Sequence, residues 1–424
     1  MALSDPIQTG QKKMSRIVSG LILSLLCLGV GCIKSTPFDG LLSGGSFNSH
    51  PTQAPPAGTV TLGAQLHAFP GQMVLTSDNG YLIGAYYSEM GGHKKPIRLI
   101  KTNSQGAILW TKSFDPFDDF GIACNAAVTS LCQISNGDIL FTAVGIGYNV
   151  GRAFLFRLDA NGNPQWSKAI DDPTAFSAAV SENGFVVTGA ANISGNNPTA
   201  SWIMAWGVGG DTVMARKSID STNTFAYGKI VAVDSFYVLV TFKDRVYTTG
   251  NNYDESSFKV YKIDKTGNIV WTKTIWSEAG LAGGGEGSNR IQSIKRIKTD
   301  GYIVDINSGS SYKIKIDGQG NAIWRINYSG EIIMDDLGGF WSLASSMQNG
   351  NTDVAFFKID NGGNLLWNKQ YGGSNNDDGM SMVKCADGNF VLASNTKSYT
   401  VVDSNFDDIW LLKVDSMGNR VSLY

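Results

Sequence analysis

The sequence predicts an all-β protein, a seven-bladed β-propeller of four-stranded antiparallel blades, preceded by an export signal and a flexible tether. Three observations carry that expectation. A decapeptide recurs seven times along the 424 residues, a turn-and-strand unit precedes each copy, and the spacing leaves room for four short strands per period.

The decapeptide is clearest as KIDKTGNIVW (262–271) and FKIDNGGNLLW (357–367). Its other copies are KTNSQGAILW (101–110), RLDANGNPQW (157–166), KIDGQGNAIW (315–324), the worn AWGVGGDTVM (205–214) and KVDSMGNRVS (413–422). Gly106, Gly162, Gly210, Gly267, Gly320, Gly363 and Gly418 hold one slot. Asp159, Asp264, Asp317, Asp360 and Asp415 precede it, and Trp110, Trp166, Trp271, Trp324 and Trp367 follow it. Strand geometry assigns the roles. The Asp caps the turn between third and fourth strands, and the Gly takes its left-handed position. The Trp opens the fourth strand, where its ring wedges against the next blade and its indole N–H reaches a turn carbonyl.

The second unit reads SDNGYLIG (77–84), SENGFVVTG (181–189) or ADGNFVLAS (386–394), a turn followed by an apolar run. Its Asn-Gly and Asp-Gly pairs predict two-residue hairpin turns. The two units alternate at intervals of about 38 to 66 residues, the period of propellers rather than of β-solenoids. In the first period the strands are predicted at 72–76, 81–87, 96–102 and 107–113. A final strand at 420–424 completes the seventh blade, and residues 59–62, with Val60 and Leu62 alternating, add to that strand or replace it. Composition agrees: 50 Gly, 10 Trp, 15 Tyr and 20 Phe suit short strands and tight turns. The 34 Lys+Arg against 36 Asp+Glu provide no basic field, so nucleic acid is not expected as a partner.

From Met14, the better start, the chain reads MSRIVSGLILSLLCLGVGC, one basic residue followed by an apolar run and small residues. This is a signal-peptide layout, too short for a spanning helix, and it assigns 1–31 to the signal. LGVGC, 28–32, resembles a bacterial lipobox, with Gly29 where that motif has Leu; the resemblance implies lipidation of Cys32. Ile33 after it implies sorting to the outer membrane. Residues 32–58, rich in Ser, Gly and Pro, read as the tether, and 59–424 as the propeller.

The decapeptide resembles the Asp-x-x-Thr-Gly-x-x-x-Trp repeat of PQQ-like, tryptophan-docking propellers, 262–271 being the nearest copy. Together with GGSNNDDGMSMVKCADGNFVLAS (372–394) it looks more like the secreted propeller lipoproteins of bacteria. The resemblance covers residues 70–424 and implies a fold more than an activity. Quinoprotein dehydrogenases of that superfamily carry adjacent cysteines near the cofactor; this chain has none, so PQQ is not expected, nor is any other cofactor.

In a propeller the first-to-second and third-to-fourth turns share one face, while the second-to-third and interblade loops share the other. The long irregular segments, 115–125, 193–201, 249–257, 277–289 and 372–379, all fall on the second face, where any ligand site is expected. Its candidate binding residues are Asp118, Asp119, Tyr148, Tyr253, Asp254, Glu286, Asp377, Asp378, Asp407 and Asp408. Asp377 and Asp378 form the calcium candidate, because adjacent carboxylates suit a hard cation. Solvated loop carboxylates and turn caps are the preferred reading, since no Asp-x-Asp-x-Asp-Gly spacing occurs. Tyr247, Tyr399 and Trp276 could stack on a sugar or peptide, or simply pack. Cys124 and Cys132 could bridge in an exported protein, leaving Cys385 over; otherwise all three are buried thiols.

Only three histidines exist, His50, His67 and His93, too few and too clustered for a dispersed triad or a His-rich metal centre. The expectation is therefore a non-catalytic envelope lipoprotein, a monomeric ring binding protein or glycan through its loop-rich face. One version is a role similar to that of the propeller lipoprotein of the barrel-assembly machine. The alternative is a glycoside hydrolase or lyase built on the same scaffold.

Overall fold

The computed structural model describes residues 53–424, apart from 63–66, 89–96, 116–119, 121–124, 147–151, 171–174, 192–199, 221–226, 234, 244–246, 249–251, 254–255, 279–288, 298–300, 309, 349 and 401–406. The signal peptide, Cys32 and nearly all of the tether therefore lie outside the described residues. What is described forms seven four-stranded antiparallel sheets and one two-stranded ribbon. The sheets are the blades: 67–114, 125–170, 175–220, 227–278, 289–326, 331–371, and 377–414 joined by Val60–Leu62. Within blades 1 to 6 the strands follow chain order, and the first strands of neighbouring blades touch around the axis.

Each blade buries both faces, which is why its middle strands read as continuous apolar runs rather than alternating ones. In blade 1, Leu82, Leu99 and Phe114 pack on Val128, Phe141 and Phe156 of blade 2, while Ile83 and Ile100 pack on Val391, Ile409 and Leu411 of blade 7. Successive strand residues point to opposite faces, so neighbours such as Leu82 and Ile83 serve two different interfaces. Phe141 and Phe156 stack with centroids 4.4 Å apart.

Blade 7 corrects the expected last strand. Residues 420–424 form no strand; Arg420 makes a single bridge to Val414. The outer place is taken by Val60–Leu62, Thr61 lying opposite Trp410, and Leu423 N–H donates to Gly58 O at 2.9 Å behind it. The first and last segments of the propeller thus meet in one blade, and their hydrogen bonds close the ring.

The repeat residues act as their types require. Asp159 Oδ1 accepts from Asn161 N–H (2.9 Å) and Asn163 N–H (2.8 Å), and Asp264, Asp317 and Asp415 accept in the same way. Asn103 replaces the Asp in blade 1 with the same two bonds. Each Trp then lies on the turn of the next blade. A Cβ at Gly162 would meet Trp110 at 2.9 Å, one at Gly320 would meet Trp271 at 2.5 Å, and one at Gly418 would meet Trp367 at 3.0 Å. In worn blade 3 Met214 covers Gly267, and at the seam Leu423 and Val60 cover Gly106. The indole N–H of Trp166 donates to Val208 O (3.1 Å) and that of Trp324 to Asn361 O (2.9 Å).

Two expectations need adjustment. The Trp is the third residue of its strand, as in Ile108–Phe114, not the first. Most first-to-second turns are three-residue turns rather than two-residue ones: Asn79 N–H donates to Thr76 O and Thr76 N–H to Gly80 O, with Asn79 at φ 60°. A type I turn ending in a left-handed residue uses the same Asn and Gly chemistry, so the two turns look alike in sequence.

The innermost strands share a further repeat element. Five of the innermost strands carry a bulge at the same place, after Pro70, Val128, Ala175, Ile291 and Gly379, and four resume on a serine: Ser130, Ser177, Ser293 and Ser381. Ser130 Oγ accepts from Val180 N–H of blade 3 (3.1 Å), and Ser381 Oγ accepts from Met73 N–H of blade 1 (3.0 Å). In blade 6 Glu331 does this for Met382 N–H at 2.8 Å. Lone serines in β-strands carry no visible period, so the signal was present but weak.

Candidate functional site

The tight-turn face is committed to the fold. The first residue of the decapeptide reaches back to the preceding turn of its own blade: Lys101 to Asp78 (2.8 Å), Arg157 to Asp138 (2.6 Å), Lys413 to Asp387 (2.8 Å), and Lys358 to Asp335. In these four blades the cation ties the third strand to the first-to-second turn, whereas in blade 5 Lys315 reaches Asn361 of the next blade. Asp78 is thereby held down at about 2: its bonds to Lys101, Thr76 and Gly80 outweigh the opposing effect of burial.

All the long segments named in the sequence are second-to-third or interblade connections, as the sheet order requires. Asp118, Asp119, Tyr148, Asp254, Glu286 and Cys124 lie outside the described residues. Tyr253 belongs to the small ribbon of blade 4, opposite Tyr247.

Asp377 and Asp378 are not a paired site. They are consecutive residues of the innermost strand of blade 7, so their side chains take opposite faces. Asp377 is fully buried. Its carboxylate accepts from Thr396 Oγ1, from Ser398 Oγ (2.7 Å) and from Gly373 N–H (2.8 Å), tying the loop at 372–376 to the one at 397–399. Tyr399, also buried, donates its hydroxyl to Gly372 O at 2.6 Å and packs on Trp410, 4.8 Å between centroids. Asp377's real neighbour is Asp353, which no sequence pairing indicated. A Cβ on Gly372 would fall 2.2 Å from Asp353 Oδ1 and 3.0 Å from Asp377 Oδ2, so both carboxylates converge on that glycine. Burial raises the pKa of each, and the charge of Asp377 adds to the rise at Asp353. Asp407 and Asp408 are buried at the entry to the last strand, with Lys397 Nζ 3.7 Å from Asp407. Trp276 is interior, stacked on Phe258 and edge-on to Tyr312. Cys132 and Cys385 are half-buried free thiols; burial pushes Cys132 up to about 11.

The loop-rich face does contain a cleft, at the junction of blades 5 and 6, of ≈ 410 Å³. Tyr328, Ser329, Ser346 and Phe357 are among its lining residues, none of which the sequence singled out. A second cleft of ≈ 270 Å³ sits on the opposite face at the closing seam, between Tyr81 and Cys385.

Seven radially arranged four-stranded sheets, closed by pairing of Val60–Leu62 with the last strand, define the class as a seven-bladed β-propeller. No protein-family model matches the sequence, and no curated protein matches it. Solved structures that it is similar to include a protein of unknown function from Bacteroides caccae (11% identity, 81% of this chain and 92% of that one, TM-score 0.37). Others are BamB from Moraxella catarrhalis (12%, 83% and 99%, TM-score 0.42) and Drosophila Semaphorin 2a (10%, 87% and 77%, TM-score 0.48).

Proposed function

We propose that this chain is an exported lipoprotein anchored through Cys32 and that its propeller is a non-catalytic scaffold, binding protein or glycan of the cell envelope through its loop-rich face. The observation that carries the reading is the use made of Asp377. Among the described residues it is the most deeply buried of the candidate carboxylates, and its oxygens are occupied by the donors that hold two loops in place. A carboxylate so engaged organises a surface; a nucleophile or general acid must meet its substrate. The Asp, Gly and Trp of the repeat are likewise spent on turns and blade contacts.

Two measurements on the full-length protein in a Gram-negative host test the proposal. Membrane fractionation of the wild type and of Cys32→Ala should find the first in the membrane and the second released; identical fractionation overturns the anchor. Capture from envelope fractions should enrich a saturable partner without turnover. Release of reducing ends or unsaturated products from envelope glycans would instead establish the enzyme reading.

A further inference from the structure

We infer that the cleft between blades 5 and 6 is a binding site for a neutral saccharide. Its origin lies in two short strands. The outermost strand of blade 5, Ala322–Ile326, has 5 residues where those of blades 1 to 4 and 6 have 7 to 10. The innermost strand of blade 6, Glu331–Met334, has 4 where the others have 7 to 9. The face that blade 6 turns toward blade 5 is therefore left partly uncovered, and its floor is built from small side chains, Ala344 and Ala355, beside Phe357.

The wall is rigidly held. The connector between the blades passes through Tyr328 and Ser329 and is fastened by its own carbonyls. The single hydroxyl proton of Ser342 is shared between Ser329 O (3.0 Å) and Glu331 O (3.1 Å), and Lys313 Nζ donates to Gly330 O at 2.7 Å. Lys313 is fully buried and paired with Asp305 at 2.9 Å, an expensive arrangement with no visible purpose other than this anchor. Gly330 sits at φ +101°, and a Cβ there would lie 2.0 Å from Leu343 O. Tyr328 is thereby set against Phe357, centroids 5.3 Å apart. A site formed before its ligand arrives loses less entropy on binding.

The lining selects the ligand. Of the twelve residues around the cleft, five are Ser and two are Asn, with Tyr328, Phe357, Leu365 and two alanines; none is Asp, Glu, Lys, Arg or His. An ion would lose hydration and gain no counter-charge. An apolar ligand would strand the hydroxyls and amides, at roughly 1–3 kcal/mol for each group left unsatisfied. An extended peptide would seek free backbone edges, but Ala344 and Ala355 are cross-strand partners whose backbone is already paired. A sugar meets each condition: hydroxyls for the Ser and Asn groups, and a C–H face for the half-buried ring of Tyr328, which Phe357 backs from the core. The ≈ 410 Å³ lies within the roughly 300–1,000 Å³ of small-molecule sites.

The inference rests on the reading of the propeller as a binding scaffold and is independent of the lipid anchor. It is tested with the full propeller by calorimetric titration against maltopentaose, cellopentaose, mannopentaose and chitopentaose, with trigalacturonate as the acidic comparison. At least one neutral oligosaccharide should bind with Kd of about 1 mM or tighter. Tyr328→Ala should weaken it at least about tenfold, and Ser346→Trp, which fills the cleft from a half-exposed position, should abolish it. Ser346→Trp should keep the wild-type melting temperature, so it answers the question even if Tyr328→Ala loosens the fold. Failure of every neutral sugar to bind, preference for trigalacturonate, or unchanged affinity in Ser346→Trp overturns the site. Binding followed by cleavage would retain the site and overturn the scaffold reading, so the two fail separately.

Discussion

Gly320 meets two demands that only glycine satisfies together. Its φ of +83° is a left-handed conformation, and the ring of Trp271 lies where a Cβ would be. Gly388, at φ +83° in another turn, has nothing within 4 Å of its Cβ position. The pair separates backbone strain from blade docking. Gly388→Ala should cost about 1 kcal/mol, the usual left-handed penalty for an L-residue. Gly320→Ala should cost about 3 kcal/mol or more, because the Trp271 ring must also leave its turn. Urea denaturation of the two variants measures the difference, and equal losses would mean that the ring adjusts freely. At this scale the sequence was informative, since Asp, Gly and Trp at fixed offsets report local geometry. The partners of Asp377 were not legible: Asp353, Thr396 and Ser398 come from different strands and loops and share no spacing with it.

The third-to-fourth turns make stability depend on acid. Asp264 is held at about 2, chiefly by backbone N–H of Asn268 and hydroxyl of Thr266, and Asp159, Asp317, Asp360 and Asp415 are lowered in the same way. A carboxylate lowered in the folded state contributes stability above its unfolded value of about 4 and loses it as pH falls toward the folded value. Asp377 and Asp305 have the opposite sign, because burial raises them and protonation favours their folded form. The lowered groups are the more numerous, so the melting temperature should fall between pH 4 and pH 2, and Asp264→Asn should flatten the curve within that window. A melting temperature that rises on acidification would show that the buried carboxylates dominate. The outer strands show a second device. Lys112, Lys168, Lys273 and Lys369 each follow the docking Trp by two residues; Lys168 Nζ donates to Gly210 O of the next blade at 2.8 Å. Cations along an exposed edge also oppose pairing with another sheet.

The ring as a whole depends on three residues at its beginning. Val60–Leu62 supplies the outer strand of blade 7, and Leu62, 3% exposed, packs with Ile409, Leu411 and Tyr81 across the seam. Leu62→Ala should destabilise the propeller by about 2–5 kcal/mol, the range for a buried leucine. Leu366→Ala, at 58% exposure, should change it by less than about 0.5 kcal/mol. Chemical denaturation compares them, and a small effect at Leu62 would show that the ring holds without its closing strand.

The number of blades, the strand order and the chemistry of the short turns were determined by the sequence itself, because they rest on interactions within a few residues repeated seven times. The choice between the two candidates for the closing strand, 59–62 and 420–424, the serine staples between inner strands, the pair of Asp353 and Asp377 and the cleft beside Tyr328 were decided by tertiary structure. Each depends on contacts between strands or blades that no local repeat encodes. The cleft in particular follows from two consecutive strands being short on adjoining blades, and only the packing of those blades sets the exposed face of blade 6 beside the connector between them.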